Sequence, residues 1–126
     1  MSSRRPARRE LCADLPRVVC LHANKVQHLR AALRAPQELA ALAARHKALS
    51  HPARLCVLEL LAIEECCVCD VAHTLRLPIS TASQHLRRLL AAGLVSTRQD
   101  GRLVFYAPTS EGLEALRPLG RREARA

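Results

Sequence analysis

The chain has 126 residues, of which 49% are hydrophobic, and its formal net charge is +9. This length suits one domain and leaves no room for a second hydrophobic core. Because the chain contains one Phe, one Tyr and no Trp, its core must be aliphatic. Such a composition favours helices packed on helices, and it argues against a sheet that stacks exposed rings on RNA.

The chain contains no uninterrupted apolar run of the roughly 18–20 residues that a membrane-spanning helix needs. Its N-terminal segment also lacks an apolar stretch long enough for a secretory signal. We therefore expect a cytoplasmic protein with no membrane partner, whose six cysteines are reduced thiols rather than disulfides. Six thiols in a short cytosolic chain indicate metal or redox chemistry.

The charges are distributed unevenly along the chain. Residues 1–9 and residues 117–126 each hold four arginines. Between them, residues 76–102 carry five arginines against Asp100 alone, whereas residues 56–70 carry four acids and no base. The positive stretch suits a phosphate backbone, and the basic ends could add nonspecific contacts to it.

The apolar pattern predicts five short helices before the period changes. We expect them over residues 22–34, 36–49, 52–63 and 68–75, and from the turn at 76–79 to Gly93. Pro36 and Pro52 suit the first turn of a helix. Ser80 or Thr81 is expected to cap the fifth helix, because Thr81-x-x-Gln84 matches a capping box. Its predicted buried face consists of Ala82, Leu86, Leu89 and Leu90.

A period of two follows, which is typical of strands. Leu94–Arg98 and Leu103–Tyr106 are predicted as a β-hairpin whose tight turn is Asp100-Gly101. Thr109 or Ser110 is expected to cap a last helix. The predicted organisation is a basic N-terminal arm with cysteines at 1–21, a folded domain at 22–116, and a basic disordered tail at 117–126.

Two helices joined by a short turn and followed by a hairpin define a winged helix-turn-helix. We therefore predict a mainly α fold with one β-hairpin that binds double-stranded DNA. Small polar side chains near the start of the second helix can approach base edges, and arginines can reach phosphates. His85 could instead pack inward as an imidazole. The candidate DNA contacts are Ser80, Thr81, Ser83, Gln84, His85, Arg87 and Arg88 on the helix, with Arg98 and Arg102 on the hairpin.

The cysteines stand at positions 12, 20, 56, 66, 67 and 69. Cys67 and Cys69 lie where a loop enters a helix. Side chains two residues apart point the same way only in an extended chain. If both thiols bind one ion, the chain must therefore be extended or only starting to coil at Cys67, and Cys66 then faces away. Cys56 falls among apolar residues and is predicted to be a small core residue.

Four segments together resemble the ArsR/SmtB family of metal-responsive repressors, over roughly residues 36–116. They are Leu49-Ser50-His51-Pro52-Ala53-Arg54-Leu55, Cys67-Val68-Cys69-Asp70-Val71-Ala72, Ile79-Ser80-Thr81-Ala82-Ser83-Gln84-His85-Leu86-Arg87-Arg88-Leu89 and Asp100-Gly101-Arg102. The resemblance implies a homodimer that binds an operator without metal and leaves it when metal binds. Geometry also favours a dimer, because two-fold pairing places two reading heads about 34 Å apart on one face of DNA.

Cys67-Val68-Cys69-Asp70 resembles the metal site of the cadmium- and lead-responsive branch of that family, in which further cysteines come from the N-terminal arm across the dimer. Cys20 resembles one arm cysteine in register. The other is expected four residues earlier, where Pro16 stands, so that Cys12 is its substitute. The resemblance thus implies the ligands Cys12, Cys20, Cys67 and Cys69, with His22 or Cys66 as alternatives that complete the site. Such thiolates suit Cd²⁺, Pb²⁺ or Zn²⁺ as the effector.

Other functions remain open on the sequence alone. An As(III)-responsive repressor of the same fold is an alternative, although arsenic-sensing relatives have a third cysteine where this chain has Ala72. The family's second zinc site is expected to be absent, because Ser110 and Gly112 replace its ligands. A thiol-redox-sensing regulator is a further alternative, since Cys66-x-x-Cys69 has redox spacing. We predict no enzyme, because no base and nucleophile converge and no βαβ unit supports an oxidoreductase.

Overall fold

The computed structural model describes residues 22–120. The chain divides into two compact units, with the boundary between Ala43 and Ala44. The elements in chain order are α1 (Ala23–Ala32), α2 (Pro36–Leu49), α3 (Pro52–Ile63), α4 (Val68–Leu75), α5 (Ile79–Ala91), β1 (Val95–Asp100), β2 (Leu103–Pro108), α6 (Ser110–Ala115) and a 3₁₀ turn (Arg117–Leu119). The predicted mainly α fold with one hairpin is confirmed. The 3₁₀ turn lies in the segment that the sequence assigned to the disordered tail.

The first unit contains α1 and the larger part of α2. Pro36 begins α2, as predicted, because a proline at this place leaves no helical hydrogen bond unmade. None of the residues of α1 is buried, and Leu29 and Leu33 at its C-terminal end are exposed. Leu39 and Leu42 of α2 are exposed as well. These four leucines therefore present hydrophobic surface in the single chain.

The second unit has a core built from aliphatic side chains of α3, α4, α5 and β1. Its largest fully buried side chains are Leu58, Leu61, Leu86, Leu89, Leu94, Val57 and Val71. On α3 the prediction for Cys56 is wrong, because Val57, Leu58 and Leu61 take the inward face and Cys56 lies exposed on another face. On α5 the prediction that Leu90 is buried is also wrong. Ala82, Leu86 and Leu89 take the inward face of this helix, and Leu90 is 41% exposed.

The start of α5 also differs from the sequence prediction. Pro78 precedes the helix in an extended conformation, and its carbonyl accepts a hydrogen bond from the Ala82 amide at 3.0 Å. The helix therefore begins at Ile79, so that Ser80 and Thr81 lie within its first turn and neither side chain caps it. The predicted cap was placed too late because proline itself fixes the extended backbone before the helix.

The hairpin has the two predicted strands with shifted bounds: β1 begins one residue later and ends two residues later than predicted, and β2 ends two residues later. Asp100 pairs with Leu103, so the two residues of the turn are Gly101 and Arg102 rather than Asp100 and Gly101. Gly101 has a φ of +63°, which a glycine adopts at little cost. Arg102 thereby occupies the tip of the hairpin, which we call the wing.

Thr109 caps α6, as one of the two predicted alternatives. Its Oγ1 accepts a hydrogen bond from the Gly112 amide at 3.1 Å, and its hydroxyl donates to the Gly93 carbonyl at 2.7 Å. A Cβ at Gly112 would stand 2.1 Å from the Leu94 carbonyl oxygen. Only glycine therefore lets α6 pack this closely against the chain that enters the wing.

Candidate DNA-reading surface and thiol site

The helix-turn-helix consists of α4 and α5 with a tight turn between them. Arg76 ends α4 with a left-handed φ of +57°. The Leu77 amide then donates to the Ala72 carbonyl at 2.8 Å. Val71 and Ala72 of α4 are buried together with Ala82 and Leu86 of α5. This packing fixes the inner face of α5, which we call the reading helix, and leaves its outer face to polar side chains.

All seven DNA-contact candidates on the reading helix keep accessible surface. Ser80, Gln84, Arg87 and Arg88 are exposed, while Thr81, Ser83 and His85 are half-buried. Within residues 22–120, no side-chain hydrogen bond or ion pair engages the hydroxyls near the helix start. The N-terminal turn of this helix can therefore offer both hydroxyls and a partial positive charge to DNA.

His85 differs from the other candidates because it faces a second histidine. Its ring lies 5.2 Å from that of His51, the N-cap of α3, at an angle of 58°. Burial lowers the pKa of His85 below its usual value of 6.5, and the charges of His51, Arg54 and Arg88 lower it further. The imidazole is therefore favoured in its neutral form, and a contact between it and DNA stays a prediction.

The two wing candidates have different surroundings. Arg102 is exposed at the hairpin tip. Arg98 forms an ion pair with Glu65, in which Arg98 Nε lies 3.3 Å from Glu65 Oε2. Arg98 Nη1 also lies 3.8 Å from Asp100 Oδ2. Its guanidinium also stacks 4.9 Å above the centre of the Phe105 ring. The hydrogen bond from Arg98 lowers the pKa of Glu65, and the same hydrogen bond with Glu65 raises the pKa of Arg98.

Glu65 was not among the residues singled out from the sequence. It belongs to the acidic stretch 56–70, whose charge complements the positive stretch 76–102. That complementarity was the available signal. It does not identify which acid meets which base, because residues 65 and 98 are brought together only by the fold.

The Cys67 and Cys69 thiols lie at the entry to α4, as the sequence predicted. Cys67 is the N-cap and has an extended backbone, with φ −82° and ψ 172°. Its Sγ donates to Asp70 Oδ2 at 3.3 Å, and its amide donates to the same oxygen at 3.3 Å. Cys69 follows in the first helical turn and is exposed. Both sulfurs are accessible, and the backbone is extended at the place that joint ligation requires.

Cys66 is separated from these two thiols by its burial. Its amide donates to the Tyr106 carbonyl at 3.2 Å and its carbonyl accepts from the Tyr106 amide at 2.8 Å, which forms a β-bridge to the wing. Its Sγ donates to the Glu64 carbonyl at 3.3 Å. Burial raises the pKa of the Cys66 thiol, and nearby carboxylates, of which Asp70 contributes most, raise it further. These contacts favour a structural thiol at this position rather than a ligand.

The entry to α4 offers two accessible thiols, Cys67 and Cys69, as donors for a soft cation. In the segment from 22 to 120, no group of three or more His, Cys, Asp or Glu side chains is placed to hold a metal ion. Two sulfurs suit a soft ion in kind but are too few to close a tetrahedral site. Cys12 and Cys20 lie outside the described residues, and His22 is exposed directly before α1.

Comparison with known proteins agrees with this architecture. Residues 51–97 match the model of the family described as "Bacterial regulatory protein, arsR family". The chain is 36% identical over 104 residues to a cadmium resistance transcriptional regulatory protein CadC homolog from Staphylococcus aureus, covering 82% of this chain and 85% of that protein.

Solved structures give the same result. The homodimeric winged helix-turn-helix DNA-binding domain of Mb0332 from Mycobacterium bovis matches with a TM-score of 0.57 at 28% identity, covering 81% of this chain and 85% of that one. NolR from Sinorhizobium fredii matches with a TM-score of 0.58 at 31% identity, covering 82% and 97%.

The fold and its reading surface thus define a winged helix-turn-helix regulator of transcription. The chain belongs to the arsR family of bacterial regulatory proteins, and its similarity to the CadC homolog places it with the CadC-like branch. This family consists of DNA-binding transcriptional regulators, not enzymes. Among the described residues, no helix has the length and apolarity needed to cross a membrane.

Proposed function

We propose that the protein is a metal-responsive repressor that binds operator DNA as a homodimer in the cytoplasm and releases it when a soft metal ion binds. The observation that carries this proposal is the position of Cys67 and Cys69. They stand at the first turn of α4, the helix whose Val71 and Ala72 pack against the reading helix. A ligand at these thiols therefore acts directly on the support of the DNA-reading surface.

The reading helix supplies the contacts to DNA in this proposal. Ser80, Thr81, Ser83 and Gln84 would meet base edges, and Arg87, Arg88 and the wing residue Arg102 would meet phosphates. His85 is included as a contact that requires a change of partner, because its ring faces His51. Arg98 is included as a contact that its half-exposed guanidinium makes while it stays paired with Glu65.

Dimer formation is supported by exposed hydrophobic surface. Leu29 of α1, Leu33 directly after it, and Leu39 and Leu42 of α2 are each more than 40% exposed in the single chain. Exposed leucines of this number favour burial against a partner. The homodimeric state of the Mb0332 domain supports the same assembly, and two-fold pairing would supply one reading helix to each half-site.

The proposed effector is Cd²⁺ or Pb²⁺, with Zn²⁺ as a further candidate. The CadC homolog's role in cadmium resistance favours cadmium, as does the thiolate chemistry of the donors. Cys67 and Cys69 would hold the ion together with Cys12 and Cys20 of the N-terminal arm, or with His22 in place of one of them. The buried Cys66 is left out because its thiol is engaged by the chain.

The substitution Cys67→Ser tests this proposal against a matched control. We expect Cys67→Ser to keep operator affinity and to lose release by Cd²⁺. Cys56→Ser should respond as the wild type does, because Cys56 is an exposed thiol on α3 that is not among the proposed ligands. The measurement is fluorescence anisotropy of a labelled operator duplex titrated with Cd²⁺, Pb²⁺, Zn²⁺ and As(III) in parallel.

Three outcomes of this titration contradict parts of the proposal. Release of the Cys67→Ser variant by Cd²⁺ would show that the thiol assignment is wrong. Release by As(III) alone would identify an arsenic-responsive repressor. Release by diamide without any metal would identify a thiol-redox regulator, although the burial of Cys66 disfavours a disulfide between it and Cys69.

A further inference from the structure

The loop that leads into the thiol site is attached to both strands of the wing. We call residues 64–67 the thiol loop. Within it, Glu65 forms an ion pair with Arg98 of β1, and the neighbouring Cys66 forms a β-bridge with Tyr106 of β2. The next residue, Cys67, is the proposed ligand. Three consecutive residues thus connect the wing to the thiols.

We propose that Glu65 is a positioning residue that couples the thiol site to the wing through Arg98. In the metal-free protein it orients the Arg98 guanidinium and thereby sets the place of the wing relative to the reading helix. The inference rests on the proposed function and deepens it, because it names the side chain through which a change at Cys67 reaches a DNA contact.

The geometry of the contact supports this role. Both Arg98 Nε and its terminal nitrogen Nη2 donate to the two carboxylate oxygens of Glu65. A two-point contact between planar groups fixes their relative orientation, which a single hydrogen bond does not. Asp100 and the Phe105 ring hold the other sides of the same guanidinium. Arg98 therefore follows Glu65 when the thiol loop moves.

The starting point of such a movement is visible in the contacts of Cys67. Its thiol and its amide share one oxygen of Asp70. A thiolate has no proton to donate, so a ligand that engages the Cys67 sulfur removes the bond between Sγ and Asp70. The thiol loop thereby loses one of the two hydrogen bonds that hold Cys67 to Asp70, two residues from Glu65.

The strength of the coupling is limited by exposure. The side chains of Arg98 and Glu65 are 51% and 40% exposed. An exposed ion pair changes an equilibrium constant by about fivefold at most. We therefore expect removal of the pair to reduce the response to metal by about three- to fivefold, not to abolish it.

The adjacent residue offers a matched control. Glu64 is exposed and carries the same charge, and within the described chain its side chain forms no ion pair. Glu64→Gln therefore reports the general effect of one fewer negative charge near DNA. Glu65→Gln makes the same change in charge and additionally removes the two-point contact with Arg98.

The test compares the ratio of operator affinity without and with saturating Cd²⁺ for the wild type and the two variants. We expect Glu64→Gln to keep the wild-type ratio and Glu65→Gln to lower it about three- to fivefold. The sulfur-to-metal charge-transfer absorption should be the same in all three proteins, since no proposed ligand is changed. Tyr106 gives a second readout, because it is the only tyrosine, the chain has no tryptophan, and it pairs with Cys66. Cd²⁺ should alter its emission less in Glu65→Gln than in the wild type.

The outcomes separate this inference from the proposed function. If the wild type and Glu65→Gln respond to Cd²⁺ by the same ratio, the coupling through Glu65 is wrong and the metal-responsive repressor stands. An equal fall in Glu64→Gln and Glu65→Gln would also overturn it, because charge alone would then explain the effect. If the wild type itself keeps its operator affinity with Cd²⁺, Pb²⁺ and Zn²⁺, the proposed function and the coupling are both wrong.

Discussion

The reading helix and the thiol loop differ in how much of their function lies within one stretch of chain. The reading helix carries its buried face and all seven of its DNA-contact candidates on thirteen residues. The thiol loop and the first turn of α4 supply two accessible sulfurs, and the proposed site takes its other donors from the N-terminal arm. Substitutions on the reading helix can therefore test one DNA contact at a time. A substitution at the proposed thiol site also changes how the entry to α4 and the N-terminal arm share one ion.

The strongest test of the reading helix removes part of its buried face. Leu86→Ala deletes a fully buried side chain from the α4–α5 contact. We expect it to lower the free energy of unfolding by about 2–5 kcal/mol. Operator binding should weaken as well, because the reading helix loses packing contacts that hold it against the core. Urea denaturation followed by circular dichroism measures the change.

The control for that variant is Leu90→Ala on the same helix. Leu90 is 41% exposed, and a surface substitution of this kind changes stability by about 0.5 kcal/mol or less. Equal destabilisation by the two variants would show that the described packing of α5 is wrong.

A smaller effect is expected at the arginines of the outer face. Arg88→Gln removes an exposed charge that we assign to a phosphate. We expect affinity for operator and for unrelated DNA to fall together, by roughly fivefold at low salt, and the slope of log affinity against log salt to decrease by about one. Arg34→Gln, an exposed arginine of the first unit, should leave the slope unchanged. An unchanged slope in Arg88→Gln would remove this residue from the DNA surface.

The smallest effect concerns pH and His85. The pKa of this group is lowered in the folded chain, so the unfolded chain binds more protons below the usual value of 6.5. The stability that neutral His85 contributes is therefore fully present above about pH 6.5, and it is lost as the pH falls toward the lowered pKa of the folded chain. His85→Gln should flatten the dependence of the unfolding free energy on pH below about 6.5. A dependence as steep as in the wild type would contradict the described environment.

Local sequence patterns predicted those parts of the fold that local forces determine. The bounds of α4, Val68–Leu75, and the starts of α2 and α3 at prolines were predicted because periodicity and proline chemistry act within a few residues. The start of α5 was not, since proline set the backbone where a hydroxyl cap was expected. The exposure of Cys56 and Leu90 was missed because the facing helix, rather than the residue type, decides which side of a broad apolar face is buried.

The contact between Glu65 and Arg98 was beyond prediction for a different reason. The two residues are 33 positions apart, and the sequence indicated only an acidic stretch and a basic one. Their pairing depends on the register of the wing, which places Arg98 opposite Phe105 while Tyr106 pairs with Cys66. The sequence therefore indicated the thiols and the arginine as separate sites, and the fold connects them.

In the proposed mechanism, occupation of the thiols and release of DNA are one linked event. The direct measurement is a Cd²⁺ titration of the protein–operator complex in which sulfur-to-metal absorption and operator anisotropy are recorded on the same sample. We predict that both signals change together and reach their end points at the same ratio of metal to protein. Saturation of the absorption while the operator remains bound would contradict the account.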